Sequence, residues 1–338
     1  MPKTVSIVIP CRNEEQYISK CLDSIITTTF PKDRLEVLVC DGQSTDKSQQ
    51  IVLSYCDDHP YIKLLNNEKQ TTQYGLNLGI KNSNGDVVII LGAHAELYPD
   101  YIEKSLIVLG KDGEIGCAGG LIESVYENLT SEIISLAMSS RFGVGDAYFR
   151  TGEQEGFVDT VAFGAYKREV FEKIGFFDED LVRNQDDEFN YRLTKAGYKI
   201  YLSKVIRSKY FVRGSFKKLF RQYYQYGYWK VFVSKKHKTI TTLRQLVPLL
   251  FVLFLIFGVI MSLFNFYLLI SFLGVFFIYF LLAFIFAFMQ VKSMAKVLQV
   301  VWTFLILHVS YGLGYLEGVF KFVLLNQQIS LGKTELTR

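Results

Sequence analysis

Nine residues, Asn184-Gln185-Asp186-Asp187-Glu188-Phe189-Asn190-Tyr191-Arg192, place three carboxylates in a row at the start of a helical stretch that ends at Gly197. Carboxylates in a helix's first turn sit at the positive end of its dipole, which favours their ionised form. An ionised Asp beside a pocket can take a proton from a sugar hydroxyl, and Asp186 or Asp187 would do so here. The same residues also suit a purely structural purpose. Asn184 or Asp186 would cap the helix, and Glu188 would pair with Arg192 one turn on. Local sequence favours the structural purpose, so the rest of the chain has to decide.

Half of the 338 residues are hydrophobic, and mean hydropathy is +0.20, high for a soluble protein. Charge is unevenly spread. Residues 1–203 carry 20 basic and 31 acidic side chains, whereas 204–244 carry twelve basic and no acidic ones. An acidic front, a basic belt and an apolar tail predict a cytoplasmic domain held at a lipid surface. Nucleic-acid binding is the rival reading of a basic belt, and the adjoining apolar spans count against it. The five cysteines, Cys11, Cys21, Cys40, Cys56 and Cys117, form no CxxC pair. They read as reduced, buried thiols, without zinc or disulfides. The chain enters a strand-like run at once, so no signal peptide is expected.

The first half alternates strands and helices. Val5–Pro10, Leu35–Cys40, Ile62–Leu65 and Val87–Leu91 are short β-branched, apolar runs. Between them, helical patterns start at Glu14, Ser44 and Gln70. This order predicts a parallel α/β sheet. Ligands of such sheets bind beyond the strand C-termini, where Arg12-Asn13, Asp41 and Gly92-Ala93-His94 all fall. Pro99–Leu109 reads as a helix and Gly116–Ile122 opens a second, mixed part of the sheet. Residues 124–158 hold one helical stretch, Leu129–Ser140, then a Gly-rich loop that is either a mobile lid or a long surface connection.

Residues 211–245 form a basic and aromatic segment, predicted to lie in the membrane interface with its aromatic side toward lipid. Leu246–Met289 contains 44 residues without a charge. A span needs about 20 apolar residues, so two spans are expected there, 246–264 and 266–289. A third, 297–316, follows a loop containing Lys292 and Lys296, interrupted in pattern by Gly312 and Gly314. The division is therefore 1–210 catalytic, 211–245 interfacial, 246–326 transmembrane and 327–338 tail.

Several motifs, in order, resemble the family 2 glycosyltransferases. Val5-Ser6-Ile7-Val8-Ile9-Pro10-Cys11-Arg12-Asn13-Glu14 is similar to their opening strand, and Asp41-Gly42-Gln43-Ser44-Thr45-Asp46 to their DGxSTD motif. Phe176-Phe177-Asp178-Glu179, the acidic run, Arg192 and Ala196-Gly197-Tyr198 resemble their FDE…ED…R…AGY block. The resemblance covers roughly residues 4–205, and the tail looks like the membrane-bound, succinoglycan-type subgroup.

The resemblance implies a GT-A fold, a Rossmann-like mixed sheet, and an inverting transferase. A hexose would pass from a nucleotide sugar, a UDP-sugar being the expected one, to a lipid-linked or growing glycan of undecaprenyl diphosphate type. It implies a multi-pass protein of the plasma membrane, with membrane lipids as partners, no nucleic acid and the catalytic domain cytoplasmic. Nucleotide-binding residues would be Pro10, Arg12, Asn13, Glu14, Asp41, Asp86, Gly92 and Ala93. Sugar or acceptor contacts would be Phe163, Gly164, Gln185, Arg192, Gln225 and Trp229. Asp186 takes the catalytic base position, with Asp187 as the alternative. The family's acidic metal motif falls at Gly92-Ala93-His94-Ala95, whose first Asp is missing here. His94 would then hold Mn²⁺ or Mg²⁺ weakly, and Glu96 would substitute for the absent carboxylate. Gln225-Tyr226-Gly227-Tyr228-Trp229 partly matches the QxxRW motif of processive synthases, with Tyr228 in place of the Arg. A processive synthase and an inactive scaffold of a polysaccharide assembly are the alternative functions.

Overall fold

The computed structural model describes residues 3–212, 214–239 and 243–327; most of the predicted tail, from 328 on, lies outside them. The chain divides into two compact units. One holds the described residues up to Ser124 together with Tyr148–Phe211; the other holds Val125–Ala147 and the described residues from Val212 onward.

The first unit is built on one sheet. Its described strands are β1 (Val5–Cys11), β2 (Leu35–Asp41), β3 (Ile62–Asn66), β4 (Val87–Ile90), β5 (Ala95–Leu97), β6 (Ile115–Val125), β7 (Gly156–Val158), β8 (Ala162–Lys167) and β9 (Lys199–Phe211). Their order is β3-β2-β1-β4-β8-β6-β9-β5, with β7 on β9. The first four are mutually parallel, and β8 runs antiparallel to β4 and β6. Strand periodicity sends alternate side chains to opposite faces. Val5, Ile7 and Ile9 meet Ile18, Leu22 and Ile25 of helix Ile18–Ile26, while Val8 meets Leu76 and Ile80 of helix Thr72–Lys81. Both faces are covered, so these strands read as unbroken apolar runs. The long β9 and the short β5, both antiparallel, were not legible beforehand. β5 pairs with β9 through Glu96 opposite Lys209, a charged pattern that hides a strand.

The second unit is helical. Three of its helices are long and apolar enough to cross a membrane: Arg244–Ser262, Phe266–Gln290 and Met294–Leu324. In the most apolar stretch of each, 6% of the residues are buried in the first two and 56% in the third, so the third is the hub and the others present apolar surface outward. The third runs straight through Gly312 and Gly314 and ends in a π-helical turn, Val319–Leu324. Those glycines are explained by close approach. A Cβ at Gly314 would overlap the carbonyl of Tyr224, and one at Gly318 would stand 2.7 Å from that of Tyr228. Small residues four apart let the backbone of helix Phe216–His237 pack against this face.

Two expectations are corrected here. The Leu129–Ser140 stretch is helical, as expected, but the Gly-rich residues after it are not one loop: Arg141–Val144 and Tyr148–Thr151 are short helices and Gly156–Val158 is β7. Helices Leu129–Met138 and Arg141–Val144 belong to the second unit, where the first of them buries Ile133, Ile134, Ala137 and Met138. His308 of the third apolar helix ties them in, its Nε2 donating to the Phe142 carbonyl (2.9 Å) and its Nδ1 facing the Tyr279 hydroxyl (2.9 Å). The basic-aromatic segment also does not turn its aromatic side outward as a whole. Trp229 is 3% exposed, packed among Tyr228, Phe232 and Phe322.

Candidate active site

Three loops leave the C-terminal ends of β1, β2 and β4, and hydrogen bonds knit the first two together. The Asn13 N–H donates to Ser44 Oγ (2.9 Å), and Asn13 Oδ1 accepts from the Thr45 N–H (2.8 Å). The Glu14 N–H donates to Ser48 Oγ (2.7 Å) and the Glu15 N–H to Asp46 Oδ2 (3.1 Å). Burial would raise the Asp46 pKa, but bonds from Ser48 and Glu15 outweigh it and hold the carboxyl below its usual range. Asn13, Gln43 and Gln70 all adopt left-handed backbone on this edge (φ 54, 56 and 63). Such conformations in non-glycine residues gather where a loop is shaped for a ligand.

Asp41 ends β2, 1% exposed. Its carboxylate accepts from Ser44 Oγ (2.5 Å), the Ser44 N–H (3.0 Å) and Gln49 Nε2 (2.5 Å). Three donors leave room for one more, on Oδ1, such as a base N–H. Pro10 lies within β1 rather than ending it, paired with Cys40. Arg12 is the most informative residue of this loop. Its Nε and Nη1 are buried and have no hydrogen-bond partner in the protein. Buried guanidinium N–H groups without a partner are costly unless an anion or a polar ligand completes them.

Asp86 is placed elsewhere, which corrects its assignment to the nucleotide. It precedes β4, and its Oδ2 accepts from the N–H (2.8 Å) and hydroxyl (3.0 Å) of Thr4, which precedes β1. That is the opposite edge of the parallel strands, separated from the crevice by the length of β4, roughly 13 Å at ~3.3 Å per residue. The Thr4 N–H is the main cause holding the Asp86 pKa below 3.8. A depressed folded pKa gives stability that is present above the unfolded value and lost as pH falls through the folded one. Asp86→Ala is therefore expected to leave nucleotide affinity unchanged. Its melting temperature should fall relative to wild type at pH 7, with the gap narrowing once the pH drops below 3.8.

The turn after β4 carries His94. The Ala95 N–H donates to the Gly92 carbonyl (3.1 Å), which closes Gly92-Ala93-His94-Ala95. His94 Nδ1 stands 3.6 Å from Glu14 Oε1, and the His94 ring meets Tyr210 edge-on at 5.0 Å. Among the described residues no three His, Cys, Asp or Glu side chains gather as a metal cage. One imidazole and one carboxylate at this spacing nevertheless fit two positions of a Mn²⁺ or Mg²⁺ shell, the rest falling to diphosphate and water. Glu14, expected among the nucleotide contacts, is the carboxylate that stands beside His94, a pairing not foreseen in the sequence. Glu96, the expected substitute, is taken by Lys209 Nζ across the β5–β9 pair (3.1 Å).

The acidic run opens helix Gln185–Lys195, with Asn184 at the cap in left-handed backbone (φ 60). Its three carboxylates have three different environments. Asp186 is exposed, and its Oδ1 accepts the N–H of Asp187 (2.9 Å). Asp187 is half-buried. Glu188 is 0% exposed and is gripped by Arg192 through Nε (2.9 and 3.0 Å) and Nη2 (2.9 Å). Arg192 also donates to the carbonyls of Ile174 (2.5 Å) and Phe176 (2.7 Å). Its guanidinium is spent on the protein, so its placement among the sugar contacts is corrected: it clamps the helix to the loop before it. Gln185 differs, since its buried Oε1 has no partner in the protein and is open to a ligand hydroxyl. Phe163 and Gly164 are the second and third residues of β8. A Cβ at Gly164 would lie 2.8 Å from Cys117 Sγ, so that glycine serves packing. Trp229, buried as described, is likewise a packing residue, and Gln225 is half-buried on the same helix.

A half-parallel, half-antiparallel sheet with its polar loops at the parallel strand ends defines a GT-A-type domain. Residues 6–175 match the profile of glycosyl transferase family 2. A Methanococcus voltae protein, dolichyl N-acetyl-α-D-glucosaminyl phosphate 3-β-D-2,3-diacetamido-2,3-dideoxy-β-D-glucuronosyltransferase, is 35% identical over 69% of this chain and 74% of its own. Succinoglycan biosynthesis protein ExoA of Rhizobium meliloti is 28% identical over 72% of this chain and 74% of its own. Among solved structures, the Pyrobaculum calidifontis mannosyltransferase PcManGT, in complex with GDP-Man and Mn²⁺, superposes with a TM-score of 0.52 at 22% identity, covering 67% of this chain and 63% of that one. Staphylococcus aureus TarS (residues 1–349) with UDP gives 0.51 at 18%, covering 66% and 64%. The chain belongs to glycosyl transferase family 2 and is a glycosyltransferase with membrane-type apolar helices.

Proposed function

We propose that this glycosyltransferase moves one hexose from a nucleotide sugar, a UDP-sugar, to a lipid-linked glycan of undecaprenyl diphosphate type during cell-surface polysaccharide synthesis. It works at the cytoplasmic face of the plasma membrane, anchored by its three apolar helices. The observation that carries this reading is the division of labour in the acidic run. Glu188 is locked away by Arg192, and Asp186 stands exposed at the helix start, where the dipole keeps it ionised. Asp186 takes the proton of an acceptor hydroxyl. The hydroxyl oxygen attacks the anomeric carbon as the bond to the diphosphate oxygen breaks on the opposite face, and the configuration inverts. Arg12 receives the charge that develops on the leaving diphosphate. His94 and Glu14 would hold Mn²⁺ or Mg²⁺, which neutralises diphosphate charge when bound.

The printed acceptor of the Methanococcus relative is itself lipid-linked, which supports such an acceptor here. The UDP and GDP-Man complexes of the fold relatives support a nucleotide-sugar donor. Single transfer is favoured over processive synthesis because Trp229, the residue that would stack on a growing chain, is packed away against Phe322. Arg12→Ala is expected to weaken nucleotide-sugar binding about 10–100-fold, or roughly 1.5–3 kcal/mol, by removing a charge-assisted contact. Calorimetric titration of the variant reads this directly, and wild-type affinity would remove Arg12 from the site. A panel of nucleotide sugars, each with and without Mn²⁺, tests the reading more broadly: the true donor raises the melting temperature by mass action, and no shift from any of them contradicts it.

A further inference from the structure

Phe163 has a backbone that bulky residues rarely adopt, φ 49, and one hydrogen bond shows what holds it there. The Tyr101 hydroxyl donates to the Phe163 carbonyl at 2.5 Å. Tyr101 is 0% exposed, and burial drives its hydroxyl to stay protonated, far above the ordinary phenol range. The hydroxyl is therefore a permanent donor. The Phe163 ring, in turn, faces the turn after β4. A Cβ built on Gly92 would stand 3.3 Å from Phe163 Cε1 and 3.4 Å from His94 Cε1. The ring and His94 thus flank the space into which a side chain at 92 would project, and a methyl group there would have to push the ring edge back by a few tenths of an ångström.

We infer that Tyr101 is a positioning residue for the His94 turn: its buried hydroxyl locks Phe163 in left-handed backbone, and the Phe163 ring then braces Gly92 and fixes the approach of His94 to Glu14. The inference deepens the function proposed above by saying what replaces a side chain at 92 as the support of the phosphate-facing turn. Left-handed backbone at a bulky residue is unfavourable and persists only when its surroundings enforce it. Helix Tyr101–Leu109, anchored by Ile102, Val108 and Leu109 in the core, supplies that enforcement.

The test is hydrogen exchange on the full chain in detergent, followed in peptides covering 91–97, together with Mn²⁺-dependent UDP binding by calorimetry. Tyr101→Phe removes one oxygen, and Gly92→Ala inserts the methyl group that the ring opposes. Each is expected to speed exchange in 91–97 by tenfold or more while peptides covering β2 keep wild-type protection. Gly92→Ala/Phe163→Leu, which takes away the ring edge at Cε1, should return exchange to within threefold of wild type. Nucleotide binding should weaken and recover in the same pattern. Wild-type exchange in Tyr101→Phe, or no recovery in the double variant, overturns the bracing role. Exchange behaving as stated while wild-type protein binds no UDP would leave the brace standing and sink the UDP-sugar reading instead.

Discussion

Asp186→Asn is expected to slow sugar transfer about 10²–10⁴-fold in kcat and to leave nucleotide-sugar affinity within a factor of about two. The size follows from the task. A sugar hydroxyl is a poor nucleophile until a base accepts its proton, and an amide oxygen of the same shape is a far weaker base. The selectivity follows from the structure. Asn keeps the shape of the exposed Asp186 side chain and can still accept the Asp187 N–H that Asp186 Oδ1 now accepts. Asp187→Asn should cost much less. Rapid-quench transfer assays on the two variants, with calorimetric donor binding alongside, give the answer. Full transfer by Asp186→Asn refutes the base assignment, and loss confined to Asp187→Asn moves the base by one residue.

Arg192→Ala has the second large effect, and it falls on stability. Glu188 is wholly buried and Arg192 meets both of its oxygens. Removing one partner of a buried ion pair costs about 3–5 kcal/mol, because the remaining charge is stranded out of water. The same change frees the carbonyls of Ile174 and Phe176, which loosens the Phe176–Glu179 loop. Arg192→Lys keeps the charge but not the planar fork, and is expected to recover only part of the loss. Arg192→Ala/Glu188→Gln should be more stable than Arg192→Ala alone, since no charge is then stranded. Thermal melts of the purified variants measure all three. An Arg192→Ala protein that melts like wild type but fails to bind donor would return Arg192 to the sugar contacts.

The parallel core was legible because its signals are local. Strands such as Val5–Pro10 are buried on both faces, so hydrophobicity alone marks them, and their order with intervening helices dictates parallel pairing. Asp41 and Arg12 could be placed at the crevice edge for the same reason, since one ends such a strand and the other directly follows one. The misplaced residues were those whose role depends on a distant partner. Asp86 lies close to Gly92 in sequence, yet β4 runs between them and puts it beside Thr4 at the far edge. Glu96 was the natural carboxylate for a metal until β9, invisible in the charge pattern, brought Lys209 opposite it. Glu14 was missed as the companion of His94 because nothing in sequence joins residues separated by three strands. Trp229 looked interfacial beside so many lysines, but Gly314 and Gly318, far along the chain, create the face that buries the surrounding helix.

Product analysis tests the central claim most directly. The purified full chain is incubated with Mn²⁺, each UDP-sugar in turn and a synthetic undecaprenyl-diphosphate-linked saccharide, and the lipid product is read by mass spectrometry and anomeric NMR. One donor should yield an acceptor lengthened by a single sugar, with the anomeric configuration opposite to that of the donor, and Asp186→Asn should yield none. A ladder of long products would contradict single transfer. Retained anomeric configuration, or no product from any nucleotide sugar, would contradict the inverting base-catalysed reaction itself.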